Sequence, residues 1–275
     1  MQTHATLRLE DNGLICPTKT MRRLVTHSIA RIGADSPLVA WAFPDNHGHL
    51  AVRGGAEEAS HLAWRVELAI QAYRETGAGA FQPRWLRARP DYGYLRNTTR
   101  YILDQAAHHG IQSDPFGESD CRVDVLGLRC VVPWARSRIR EALPRLADDE
   151  IAETLGLSLT ALRESACPIT ASELEHLREA TCAVLAVNQL NGKSPLCARA
   201  RAAAVLTCDR SVRTADIVAA LGISAHGVRR IRRGESHWGE EWLTDPFSRP
   251  VPRAIAAQTR WRAARALSLE TGLAS

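Results

Sequence analysis

Two short runs carry side chains that can do chemistry together. His47-Gly48-His49 sets two imidazoles at i and i+2. On a β-strand these positions point to one face, so two ring nitrogens can hold one divalent metal ion. Further along, Tyr101 and Gln105 stand at i and i+4 in a run with helical spacing and share a helix face. If that face packs over the histidine strand, Gln105 adds a third ligand and the Tyr101 hydroxyl is placed to attack a phosphorus atom. Each run also has an ordinary alternative. Paired strand histidines serve as surface or turn polarity, and Tyr101, Ile102 and Leu103 serve as packing on an amphipathic helix.

The elements that must position these residues are legible as periodic runs. Thr3–Leu9 alternates as a strand, and Pro17–Ile32 carries Met21, Leu24, Val25, Ile29 and Ile32 at helical spacing. Pro37–Phe43 reads as a strand, Pro44-Asp45-Asn46 as a turn, and His47–Arg53 as a second strand closed by Gly54-Gly55. Ala56–Thr76 is helical, with Leu62, Val66, Ala69, Ile70 and Tyr73 on one side. Phe81–Arg89 gives a further strand, and Tyr92–His109 a helix stopped by Gly110. The order β-α-β-β-α-β-α predicts an α+β fold, an antiparallel sheet with helices packed on it.

The run Trp41-Ala42-Phe43-Pro44-Asp45-Asn46-His47-Gly48-His49-Leu50 resembles the Met-Pro-Asn-His-x-His-Leu run of the REP-associated tyrosine transposases, which belong to the HUH single-tyrosine nucleases. Leu95-Arg96-Asn97-Thr98-Thr99-Arg100-Tyr101-Ile102-Leu103-Asp104-Gln105 resembles their catalytic helix, Arg-Tyr-Ile-x-x-Asn-Pro. The resemblance covers about residues 1–116. It implies a ferredoxin-like antiparallel sheet, with His47, His49 and Gln105 as ligands of Mg²⁺ or Mn²⁺ and Tyr101 as the nucleophile. It also implies a single-stranded or hairpin DNA substrate, a 5′-phosphotyrosine intermediate, and recombination by strand transfer. The chain departs from the family in three places. Gly48 replaces a bulky apolar residue, Asp45 is extra or substituted before Asn46, and Gln105-Ala106 replaces Asn-Pro.

Tyr92 and Tyr94 compete with Tyr101, which is preferred because it matches the family position and has a polar residue four positions on. Arg84, Arg87, Arg89, Arg96 and Arg100 crowd this region. Of these, Arg84, Arg87, Arg96 and Arg100 are candidates for holding a DNA backbone, against the alternative of solvated arginines.

From about residue 135 helices dominate, after a connector at 117–134. Ile151–Arg163 repeats at Ile217–Arg229, each copy a helix, a Leu-Gly-(Leu/Ile)-Ser turn and a second helix. This is the pattern of a helix-turn-helix, at about 214–233, within an all-helical domain at 135–275. The second helix carries Ser224, His226, Arg229, Arg230, Arg232 and Arg233; with Arg213 they form a candidate contact to duplex DNA. The upstream copy is more acidic and is expected to pack rather than to bind. A last helix runs from about Pro252 to Leu267.

Composition sets the bounds. Hydrophobic residues at 45% and charged residues at 24% are those of a chain with an ordinary buried core. The seven cysteines form no Cys-x-x-Cys pair, which argues against a thiolate zinc site. The net charge of +5 is carried mainly by arginine and favours nucleic acid as partner. The absence of a long apolar run argues against a membrane partner and predicts a cytoplasmic protein; the resemblance leaves a monomer or a homodimer open. The main expectation is a metal-dependent single-strand DNA transposase or nuclease. The alternative is a domesticated, non-catalytic DNA-binding regulator using the helix-turn-helix.

Overall fold

A computed structural model describes residues 1–74, 80–105, 116, 120–158, 168–235 and 250–270. The chain forms two compact units, Met1–Leu126 with Val131–Gly156 and Gly127–Cys130 with Leu157–Ser275.

The first unit is built on four strands: β1 Gln2–Arg8, β2 Leu38–Ala42, β3 His47–Val52 and β4 Trp85–Arg89. Their order across the sheet is β2-β3-β1-β4 and every pairing is antiparallel. Helix α1 spans Lys19–Ala34, α2 Ala56–Arg74 and α3 Tyr92–Leu103, so the expected β-α-β-β-α-β-α order holds. Thr18 caps α1 by accepting the Met21 N–H at 3.2 Å, and Asp91 caps α3 by accepting that of Gly93 at 2.8 Å. Glu57 and Glu58 in the first turn of α2 complement its dipole.

Alternation splits the sheet into two faces. Ala5, Leu7, Leu50 and Val52 are fully buried on the face opposite α3, where α2 packs on β1 and β4 and α1 packs on α2. His4, Thr6, His47, His49, Trp85 and Arg87 share the other face, where α3 lies over β1, β2 and β3.

Helices α4 Arg122–Val125, α5 Pro133–Ala142 and α6 Asp148–Thr154 complete this unit. Here the structure corrects the sequence-based boundary, which ended the first domain at 116 and assigned 135 onward to the second. Tertiary contacts hold α5 to α1. The Trp134 indole N–H donates to Ala30 O at 3.0 Å, and the Arg138 guanidinium donates to Gly33 O, Ser36 O and Leu38 O at 2.6, 2.7 and 2.9 Å. An arginine at carbonyls that end a helix is favourable electrostatically.

The second unit is helical. A 3₁₀ turn, Ala171–His176, precedes α7 Leu177–Val184, α8 Pro195–Thr207, α9 Thr214–Leu221, α10 Ala225–Arg232 and α11 Pro250–Glu270. Its core includes Leu177, Val184, Ala200, Ala203, Ile217, Val228 and Ile255. Gly127–Cys130 joins it through the Cys130 N–H to Val184 O at 2.9 Å and Gln258 Nε2 to Leu128 O at 2.8 Å. The division between the units runs through the upstream copy, after Gly156, whereas the downstream copy lies in the second unit; the second helix of the upstream copy lies outside the described residues. Among the described residues, no helix is long and apolar enough to cross a membrane.

Candidate active site

The site-bearing strand β3 lies between β2 and β1, so its backbone is hydrogen-bonded on both edges. His47 and His49 point to the same face, their ring centres 4.7 Å apart and their planes nearly perpendicular. His47 Nδ1 lies 2.9 Å from Asn46 Oδ1 and 2.8 Å from Asp45 Oδ1. Asn46 Oδ1 is an acceptor, so the hydrogen sits on Nδ1 and the lone pair on Nε2, with the Asp45 carboxylate beside the ring as a charged neighbour. Asp45, which the sequence comparison could class only as a departure, therefore orients His47.

His49 is 4% exposed and is held at the same ring atom from the neighbouring strand. His4 Nε2 stands 3.0 Å from His49 Nδ1, and Thr6 Oγ1 stands 3.5 Å from it. Thr6 is the register partner of His49, and His4 lies two residues along β1 on the same face. Burial, reinforced by the Arg87 charge, lowers the His4 pKa to about 4, so the ring is neutral near pH 7. Sequence reasoning missed His4. The available signal was the alternation of β1, which puts His4 and Thr6 on one face, but the register that brings that face to His49 is not written in either strand alone.

Tyr101 reaches both rings. Its ring centre is 5.3 Å from that of His49 and 5.8 Å from that of His4, edge-on in each case, and the residue is 45% exposed. The competing tyrosines are engaged elsewhere. Tyr92 Oη donates to Glu141 O at 2.7 Å, and Arg87 stacks over Tyr94 at 5.9 Å. Gln105 follows Asp104, the C-cap of α3, and is 1% exposed. Its Nε2 donates to Tyr101 O at 3.3 Å, while the buried Oε1 accepts no hydrogen bond among the described residues.

Gly48 is required by close packing. A Cβ built there would stand 2.4 Å from Phe43 Cδ1, so the Phe43 ring fills the space that a bulky residue would take.

Among the described residues, no group of three or more His, Cys, Asp or Glu side chains could hold a metal ion. A site here would instead combine two imidazoles with the amide oxygen of Gln105. Three such donors would leave the remaining positions of a divalent cation to water or to phosphate oxygens.

The arginines divide. Arg87 lies on the site face, paired in register with His4. Arg84 is committed to Glu67 of α2, through Nε at 2.9 Å and Nη2 at 2.5 Å. Burial raises the Glu67 pKa more than Arg84 lowers it. Arg100 pairs with Glu150 at 3.3 Å and Asp104 at 3.4 Å, and with Arg96 it lines a cavity beside Leu143 and Pro144.

In the second unit, Gly222 closes α9 in the left-handed conformation, φ 66°, and Ser224 caps α10 by accepting the Gly227 N–H at 3.1 Å. Exposed His226, Arg229, Arg230 and Arg233 follow i, i+3, i+4, i+7 spacing along one face of α10. Arg232 turns back to Asp209 O at 3.0 Å, and Arg213 is held by both carboxylate oxygens of Asp216 at 2.9 and 2.8 Å.

No family model, no curated protein and no solved structure matches the chain.

Proposed function

We propose that the chain is a metal-dependent single-strand DNA nuclease and strand transferase of the HUH single-tyrosine type, akin to the REP-associated tyrosine transposases. The observation that carries this reading is the approach of the Tyr101 ring to within 5.3 Å of that of His49, itself beside His47. The β2-β3-β1-β4 sheet order is that of a ferredoxin-like βαββαβ unit and is consistent with the reading.

His47 through Nε2, His49, and Gln105 through Oε1 would hold Mg²⁺ or Mn²⁺. The bound cation supplies charge stabilisation at the scissile phosphate and at the departing oxygen. Tyr101 Oη loses its proton and bonds to phosphorus; the P–O3′ bond breaks, and the 3′-oxygen leaves as a hydroxyl after gaining a proton. The product is a 5′-phosphotyrosine ester of comparable energy, so a second 3′-hydroxyl can attack the phosphorus and release Tyr101. Asp45 and His4 do not touch DNA in this scheme; they fix the ligand rings.

A second reading is a DNA-binding regulator without catalysis, favoured by the basic face of α10. Labelled single-stranded hairpin oligonucleotides incubated with Mn²⁺ or with a chelator, then run on a denaturing gel, separate the two. A metal-dependent adduct lost in Tyr101→Phe supports the nuclease. Tight native binding with no adduct supports the regulator.

A further inference from the structure

The strand at the open edge of the site carries an aromatic ring that the chemistry above does not use. Trp85 is 52% exposed on β4 and lies on the same face as His4. A single exposed tryptophan is unremarkable, but the surroundings of this one are specific. The His4 ring meets Trp85 edge-on at 5.6 Å and Tyr101 edge-on at 5.8 Å. Two half-exposed aromatic rings thus flank one imidazole. Arg87 and Arg89 follow Trp85 at i+2 and i+4, so they project from the same face of β4. Both are exposed, and neither forms an ion pair among the described residues. Arg84, in contrast, is neutralised by Glu67.

An exposed indole beside uncompensated guanidinium groups is complementary to a base that is free to leave its stack, joined to an anionic backbone. That is the chemistry of a single strand rather than of a duplex, whose bases are stacked already. We propose that Trp85 is the platform on which a base of single-stranded DNA stacks next to the phosphate reached by Tyr101, with Arg87 and Arg89 holding the backbone along β4. The position relative to the attacked phosphate rests on the nuclease reading; the stacking itself does not.

The test uses full-length protein carrying Tyr101→Phe, so that no covalent product forms, and a fluorescein-labelled oligothymidylate with a duplex of equal length as control. Trp85→Ala is expected to weaken single-strand binding about tenfold, Trp85→Phe to retain most of it, and duplex binding to stay unchanged. An oligonucleotide bearing 5-iododeoxyuridine is expected to photocrosslink to Trp85, as mapped by mass spectrometry. Unchanged single-strand affinity in Trp85→Ala, or equal loss for single strand and duplex, overturns the proposal. If otherwise wild-type protein forms no adduct while Trp85→Ala still loses single-strand affinity, the platform stands and the nuclease falls. An adduct with normal Trp85→Ala binding has the opposite meaning.

Discussion

His4 Nε2 and His49 Nδ1 stand 3.0 Å apart across β1 and β3, so two imidazoles share one hydrogen. The matching contact on the other ring runs from His47 Nδ1 to Asp45 and Asn46. Both site histidines are therefore gripped at Nδ1, one by the turn before its own strand and one by the adjacent strand. On the nuclease reading proposed above, and with the shared hydrogen on His49 Nδ1, Nε2 would be the coordinating atom of each ring.

His4→Phe should lower Mn²⁺ affinity by about 10- to 100-fold, the usual cost of losing a partner that orients a ligand. Isothermal titration with Mn²⁺ measures this directly, without DNA. His4→Gln, which can still hydrogen-bond, should recover part of the loss. Wild-type affinity in His4→Phe would show that the contact serves packing alone.

Gly48→Ala should destabilise the first unit although alanine is the better strand residue. The added methyl meets the Phe43 ring at 2.4 Å, and Phe43 is itself buried. Overpacking of this kind costs about 1–3 kcal/mol. Urea unfolding of Gly48→Ala and of Gly48→Ala with Phe43→Leu tests the cause, since the smaller side chain should restore part of the midpoint.

These two residues mark where sequence reasoning ends. The element order was legible because strand and helix periods differ, and because turns such as Pro44-Asp45-Asn46 punctuate them. His47, His49 and Tyr101 were legible as candidates because i, i+2 and i, i+4 spacings are local. His4 was not, because its value depends on a strand register set across the sheet. Asp45 looked like an interruption until its distance from the His47 ring was known. The first-unit boundary was missed because Trp134 and Arg138 declare their attachment only through carbonyls about a hundred residues earlier in the chain. Arg84 and Arg213 looked available on charge alone, yet each is held by a carboxylate.

That last distinction gives a prediction for the second unit. Arg229→Ala and Arg230→Ala remove exposed charges from one face of α10, whereas Arg213→Ala removes one already neutralised by Asp216. If α10 meets DNA, each α10 substitution should weaken duplex binding and reduce the slope of log K against log salt by about 1. Arg213→Ala should change the slope little. Anisotropy titrations at several salt concentrations decide the matter, and equal slopes for all three variants would remove α10 from the interface.

Acid should loosen the second unit through Glu173. Burial alone would raise its pKa, but hydrogen bonds from Arg260 and Thr170, together with the Arg260 charge, hold it below the ordinary 4.5. The Arg260 Nε contact is 2.6 Å. For a carboxyl whose folded value is depressed, the unfolded chain binds the proton more readily. The stabilisation is therefore complete above the ordinary value and is lost as pH falls through the folded one. Glu173→Gln cannot ionise, so it should be less stable than wild type at neutral pH and should converge with it in acid, where the wild-type carboxyl is protonated. Urea midpoints for both proteins, followed by tryptophan fluorescence at several pH values from neutral to below 4.5, test this. A constant difference across the series would mean that Arg260 is held by its contact with Pro168 O at 3.0 Å rather than by the charge on Glu173.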